Sequence, residues 1–554
     1  MKAFTEPLLS LAGFEEMTKT AEKSSGLISV TGCIDAQKSQ MIYAFGGHRK
    51  NKLIVTFGEQ KARELYDEYS FFDKEVVYYP SKDVLFYQSD IRGNLLTAER
   101  IRALKAIREQ ERVTLVTTFD ALMNTMAPIE KMWENVLTLE QGQLLDLKEI
   151  QAALIRMGYE KEYQVQTMGQ FSVRGGILDV FPLTEENPIR IELWGDEIDT
   201  IRYFDCESQK SIENTDRVSI YPAAELVLSD EEKAGGIDKL KAEAKRVSDK
   251  LRKQMKTEEA HRVTVMADEL TEEWGELSMY AGMDAFLSYF FDERVGLLDY
   301  FKPSDSLIFF DELTRCTEQG KLTETEFSES MKQRLAMGYI LSGQMNGLFT
   351  EKEIVAKLGK YSCIALAALD NKANGLHQLG SYGIHCQSVS PYNNSFELLI
   401  KDLKRYKKNG YRVILLSGSR TRAKRLSEDI TDQGITCFYT ENYDHELFEG
   451  QIMVCYGKVR RGFEYPILKF AVITESDIFG AQQKKKKRHR TYEGEKIQSF
   501  TDLSVGDYVV HENHGLGIYR GIEKLEVDKK VKDYIKIESV SYTHLRAHET
   551  VLDL

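Results

Sequence analysis

Leu27-Ile-Ser-Val-Thr-Gly-Cys-Ile-Asp-Ala-Gln-Lys-Ser39 reads as a short apolar strand, a turn and the start of a helix. A Walker A loop places G-x-x-x-x-G-K-[ST] at such a junction, where backbone N–H groups wrap a phosphate and the lysine reaches its outer oxygens. Gly32, Lys38 and Ser39 fit that pattern, but Gln37 stands where the second glycine belongs. That glycine permits close phosphate approach at dihedrals costly for a residue with a Cβ. Gln37 is therefore expected to push a side chain toward the phosphate space. Three readings stay open: an ordinary strand–helix turn, a disabled relic of an ATP site, and a working ATPase, which the missing glycine disfavours.

A second segment bears on the choice. Asp305-Ser-Leu-Ile-Phe-Phe-Asp-Glu312 is an apolar strand ending in an acid pair. A Walker B segment presents its Asp to a magnesium-bound water and its Glu as general base in this way. Such runs are common, so Asp311 and Glu312 support the relic reading only in company with the damaged loop.

Around these two segments the chain divides by pattern. Residues 1–24 read as a polar helical leading segment, and apolar strands then alternate with helices to residue 133, as at Lys52–Phe57, Glu75–Tyr79 and Arg112–Thr118. This predicts an open parallel sheet in an α/β domain. Residues 134–222 change to short β segments with turns at Arg174-Gly175-Gly176 and Trp194-Gly195-Asp196, predicting a small, mostly antiparallel domain. Arg174 reads most simply as a surface arginine at a strand end. Residues 223–345 are helical and charged, and 355–480 form a second α/β unit with strands including Cys363–Leu366, Arg412–Leu416, Ile452–Cys455 and Phe470–Ile473. A basic linker spans 481–499, with Lys484–Arg490 either solvated or in weak contact with a phosphate backbone. Residues 500–538 read as a compact, incomplete β barrel, and 539–554 break its pattern. His511 and His514 lie in a Gly-rich turn without zinc-protease spacing and read as turn residues.

The totals set limits on function. A formal net charge of −13 argues against coating nucleic acid by bulk electrostatics, so any DNA contact must come from a local basic patch. Seven dispersed cysteines without a C-x-x-C pair point to reduced thiols in a cytoplasm. No leader and no membrane-length apolar run is seen, which predicts a soluble cytoplasmic protein without membrane contact.

Three segments carry a resemblance. Phe171-Ser-Val-Arg-Gly-Gly-Ile-Leu-Asp-Val-Phe-Pro182 with Trp194-Gly-Asp-Glu-Ile-Asp199, Glu475-Ser-Asp-Ile-Phe-Gly480 before the basic run, and Gly506-Asp-Tyr-Val-Val-His-Glu-Asn-His-Gly-Leu-Gly-Ile-Tyr519 occur in that order. Over residues 1–538 the chain resembles the bacterial transcription-repair coupling factors, the Mfd family. The resemblance implies a multidomain α/β protein. A UvrB-like P-loop-type α/β domain would hold an inserted β-rich domain, followed by a second α/β domain and a Tudor/CarD-like small barrel. It implies that Gly32, Gln37, Lys38, Ser39, Asp311 and Glu312 mark a degenerate nucleotide site. UvrA would be recruited through Arg174 and Phe171, and the RNA polymerase β subunit gripped through Leu525, Ile522 and Glu523.

The full-length family uses ATP and Mg in a translocase motor that binds DNA, and carries a C-terminal domain that masks the UvrA surface. Neither is seen in this sequence. The expectation is therefore a recruitment platform with no cofactor, no catalysis of its own and constitutive UvrA binding. The alternatives are a UvrB-type ATP-dependent excision-repair enzyme and a CarD-like regulator with an unrelated N-terminal body.

Overall fold

The computed structural model describes residues 1–45, 49–82, 94–276, 283–369, 375–480, 508–511, 515–527 and 530–539. Two compact units emerge, Met1–Ala481 and Gln482–Leu554.

The first unit is built on a seven-stranded sheet in the order Gln378–Gly383, Gly26–Thr31, Ser362–Leu366, Ser306–Asp311, Asn51–Thr56, Val113–Thr118, Val77–Tyr79. Every neighbouring pair is parallel. Strands such as Ser-Leu-Ile-Phe-Phe-Asp are buried throughout because helices cover both faces, so their sequences are apolar runs without alternation. The Gly26–Thr31 and Ser306–Asp311 strands are separated only by Ser362–Leu366, which brings the ends of both motif segments to one edge of the sheet.

Cys363–Leu366, expected in the second α/β unit, is instead an inner strand of the first sheet, and Gln378–Gly383 forms that sheet's edge. A short buried apolar run has the same sequence character in either sheet, and only the pairing partner decides. The leading segment is also not a polar appendage. Helices Lys2–Leu9 and Phe14–Lys23 bury Phe4, Leu8, Phe14 and Met17.

The second sheet runs Gln387–Ser388, Phe463–Tyr465, Phe470–Thr474, Arg412–Ser417, Ile452–Tyr456, Phe438–Tyr439, with its last four strands parallel. One of its faces, with Ile414, Met453, Phe463, Tyr465 and Val472, shares a continuous apolar core with Phe4, Met41, Ile42 and Leu65 of the first domain. The two α/β domains are therefore fused through buried side chains.

Between the strands of the first sheet the chain makes two excursions. Residues 137–220 hold a six-stranded sheet ordered Ser211–Thr215, Glu197–Phe204, Ile189–Trp194, Ile177–Val180, Gln170–Arg174, Glu160–Lys161, antiparallel except for the last pair. Helices Asp230–Lys253 and Thr257–Glu276 follow, the first started by a capping box between Ser229 and Glu232. They bury Leu240, Val263 and Trp274 in a separate core.

The second unit shows an antiparallel meander of Tyr508–His511, Gly515–Val527 and Lys530–Ser539, with a register shift between Tyr519 and Gly521. The basic run 482–490, His514 and the tail from 540 lie outside the described residues. Among the described residues no helix is long and apolar enough to cross a membrane.

Candidate functional site

Lys38 lies in helix Asp35–Phe45, directly after the loop, and only 1% of its side chain is exposed. Its ammonium donates to Asp311 Oδ1 at 2.6 Å, Glu312 Oε1 at 2.9 Å and Asp35 Oδ1 at 3.1 Å. The structure thus brings together the lysine and both acids of the expected degenerate site, and adds Asp35. Burial works against the charged ammonium, but Asp311 and Glu312 outweigh it and hold Lys38 well above the usual lysine range. Burial likewise opposes ionisation of Asp35, and hydrogen bonds and charge from Lys61 and Lys38 bring it down to about 2. Asp311 also accepts from Thr56 Oγ1 at 2.9 Å, and Glu312 from the Ala368 N–H at 3.1 Å. All three of the lysine's donors are therefore committed to carboxylates.

Backbone groups at the strand end are bonded within the chain as well. The N–H groups of Gly32 and Cys33, at the end of the strand, donate to the carbonyls of Ala368 at 3.3 Å and Ala367 at 3.0 Å. Gly32 has φ +77°, and a Cβ there would lie 2.0 Å from the Ile384 carbonyl oxygen, so chain occupies the space beside the turn. Gln37 does not point into a phosphate space, contrary to expectation. It is fully buried in the helix, and its Oε1 accepts from Tyr465 Oη at 3.1 Å, a residue of the second sheet. Tyr465 also reaches Gln40 Oε1 at 3.3 Å, while the Ser39 hydroxyl is buried without a partner. The Lys38 ammonium, which a nucleotide phosphate would need, is bonded within the chain.

The junction between the α/β domains carries one further titratable group. The Arg460 backbone N–H donates to Glu68 Oε1 at 3.2 Å, and the Arg460 guanidinium pairs with Glu64 at 2.7 Å. Burial pushes the Glu68 carboxyl up to about 7, only partly opposed by the Arg460 backbone hydrogen bond and charge.

The β-rich domain presents a different kind of surface. Alternation along its strands sends Phe171, Leu178, Val180, Ile189 and Ile191 into a core and leaves Asp179, Arg174, Arg190, Glu192 and Arg202 on the opposite face. Phe171 is completely buried, so it supports the surface from beneath and is not itself exposed to a partner. Asp179, also buried, accepts from Arg174 Nη2 at 2.7 Å and from Arg190 Nε at 2.7 Å. A buried acid thus fixes two guanidinium groups at the sheet surface, and Arg202 pairs with Glu192 beside them. At the Trp194-Gly195 turn of the same sheet the indole is 84% exposed. Sequence reading singled out Arg174 but not Asp179, Arg190 or Trp194; the exposed indole was legible, since a Trp at a Gly-Asp hairpin turn has little to pack against.

In the second unit, Ile522, Glu523 and Leu525 fall on the strand Gly515–Val527, paired with Ile535, Tyr534 and Lys532. Among the described residues no group of three or more His, Cys, Asp or Glu side chains is arranged to hold a metal ion.

Comparison with known proteins adds independent findings. Residues 137–226 match the UvrB interaction domain and residues 503–545 the CarD-like/TRCF RID domain. The transcription-repair-coupling factor of Bacillus subtilis (strain 168) is 30% identical over 487 residues, 87% of this chain and 41% of the relative. That of Staphylococcus haemolyticus (strain JCSC1435) is 29% identical over 523 residues, covering 92% and 43%, and that of Staphylococcus aureus (strain USA300) 28% over 540, covering 95% and 44%. The chain spans about two fifths of the length of these curated relatives. Its resemblance to the transcription-repair-coupling factors is thereby shown: homologues of that name match most of the chain at about 30% identity, and it contains a UvrB interaction domain and a CarD-like/TRCF RID domain.

Proposed function

We propose that this chain is a binding platform that joins RNA polymerase to UvrA in transcription-coupled nucleotide excision repair, without ATP chemistry of its own. The observation that carries the reading is the presence of a UvrB interaction domain and a CarD-like/TRCF RID domain in one chain. UvrA docks on the charged outer face of the β-rich sheet, where Asp179 holds Arg174 and Arg190 and Trp194 stands exposed. A planar five-donor guanidinium suits an acidic partner surface, and an exposed indole supplies an apolar anchor. The polymerase β subunit is gripped through the strand bearing Ile522, Glu523 and Leu525, by strand addition with an apolar anchor. The internal pairing of Lys38 with Asp311 and Glu312 supports a scaffolding role for the P-loop-like junction.

Pull-down with each partner tests the assignments. Arg174→Ala should weaken UvrA capture and leave polymerase binding intact, and Leu525→Arg should do the reverse. Loss of both contacts in either variant, or of neither, counts against them. Retention of the lysine and both acids favours one other reading, a UvrB-type ATP-dependent enzyme. ATP turnover that disappears in Lys38→Ala would establish that reading instead.

A further inference from the structure

Helix Arg420–Asp432 carries its charges the wrong way round. A helix is stabilised by acids in its first turn and bases in its last, because unpaired N–H groups concentrate positive potential at the N-terminus. Asp230–Lys253 obeys this, with Asp230, Glu231 and Glu232 at its start and Lys250, Arg252 and Lys253 at its end. Phe396–Lys408, in the same domain, obeys it too. Arg420–Asp432 has no acid in its first turn and no base in its last. Arg420, Arg422, Lys424 and Arg425 fill its first half, and Glu428, Asp429 and Asp432 its second. Such an arrangement works against the helix, and its positive half is where an anionic partner would be held most strongly.

The neighbouring segment adds to the same charge. Strand Arg412–Ser417 runs parallel to Ile452–Tyr456, with Ser417 opposite Tyr456, and the Gly457 N–H donates to the Ser417 carbonyl at 3.0 Å. Both chains therefore leave the sheet side by side at one edge, one into the cationic helix and the other into Gly457-Lys458-Val459-Arg460-Arg461. Arg420, Arg422, Lys424, Arg425, Lys458 and Arg461 are all exposed. Glu441 pairs with Arg420 and Glu475 with Arg422, whereas Lys424, Arg425, Lys458 and Arg461 form no salt bridge among the described residues. In a chain of net charge −13 this is a local concentration of positive charge.

We infer that this edge of the second α/β domain is a docking face for the phosphate backbone of duplex DNA. Cations from two adjacent segments match a linear polyanion, whose phosphates reward several separate charges at once. A protein partner is disfavoured, since no large hydrophobic side chain is exposed in residues 417–425 or 457–461 to serve as an anchor. Binding of this kind fixes position on DNA without reading sequence. It is separate from the UvrA and polymerase assignments and does not depend on them.

The test uses the full chain and a short fluorescent mixed-sequence DNA duplex titrated over a series of salt concentrations. Lys484, Lys485, Lys486, Lys487 and Arg488 are changed to alanine in every protein compared, so that the basic run cannot mask the result. Adding Lys424→Ala, Arg425→Ala, Lys458→Ala and Arg461→Ala should weaken binding about tenfold or more at low salt and lower the salt slope by about one per lost phosphate contact. The melting temperature should stay close to the parent's, because all four side chains are exposed. Unchanged affinity and slope would overturn the inference, as would failure of the parent to bind duplex at low salt. Unchanged DNA binding with loss of UvrA or polymerase capture would assign the face to a protein and overturn it equally.

Discussion

At Lys38 the residue types of a Walker-like junction are bonded to one another. The ammonium, 1% exposed, is held by Asp311 and Glu312, and the Gly32 and Cys33 N–H groups by the Ala368 and Ala367 carbonyls. Removing one member of a buried ion cluster leaves the others uncompensated and costs roughly 3–5 kcal/mol. Lys38→Ala should therefore lower unfolding stability by about that much in urea melts. Calorimetric titration with ATP and magnesium should give no binding heat for either protein. Tyr465→Phe deletes the hydroxyl shared by Gln37 and Gln40 and should cost roughly 1–2 kcal/mol on the same assay, since buried amide groups lose their partner. At this scale the sequence revealed that Gln37 breaks the loop pattern, but not what the loop and its helix bond to. Ala367, Ala368, Ile384 and Tyr465 are hundreds of residues away in sequence, and no local spacing announces them.

Among elements, the seam between helix Glu59–Tyr69 and the segment after strand Ile452–Tyr456 makes a pH-dependent contact. Glu68, with its carboxyl raised to about 7, binds a proton more tightly folded than unfolded. Its stabilising contribution is complete below the ordinary carboxylate range and is lost as pH rises through about 7. Glu68→Gln keeps an acceptor for the Arg460 N–H without the charge. It should be more stable than the parent at pH 8 by on the order of 1–3 kcal/mol and nearly equal at pH 4, measured by urea midpoints. A deficit at pH 8 would show that Glu68 is stabilised as a carboxylate. Strands such as Gln170–Arg174 and Ile189–Trp194 were legible because alternation and Gly turns are local signals. The placement of Ser362–Leu366 was not, because its run of buried apolar residues fits the centre of any parallel sheet.

Across the whole molecule, the fused α/β body carries the UvrB interaction domain on one excursion of the chain, and the CarD-like/TRCF RID domain forms part of a second compact unit. A shared core between the α/β domains implies that they unfold together. Their cooperative melt should then precede or follow the second unit's transition as a single step in calorimetry, and separate transitions for residues 1–369 and 375–480 would contradict this. The central claim, that the chain joins two partners by recruitment, is tested most directly by capture of RNA polymerase on immobilised UvrA. The account predicts that polymerase is retained only when this chain is added, and that Arg174→Ala and Leu525→Arg each abolish retention while leaving the other binary contact intact. No retention with the unmodified chain, or retention unaffected by both substitutions, would contradict it.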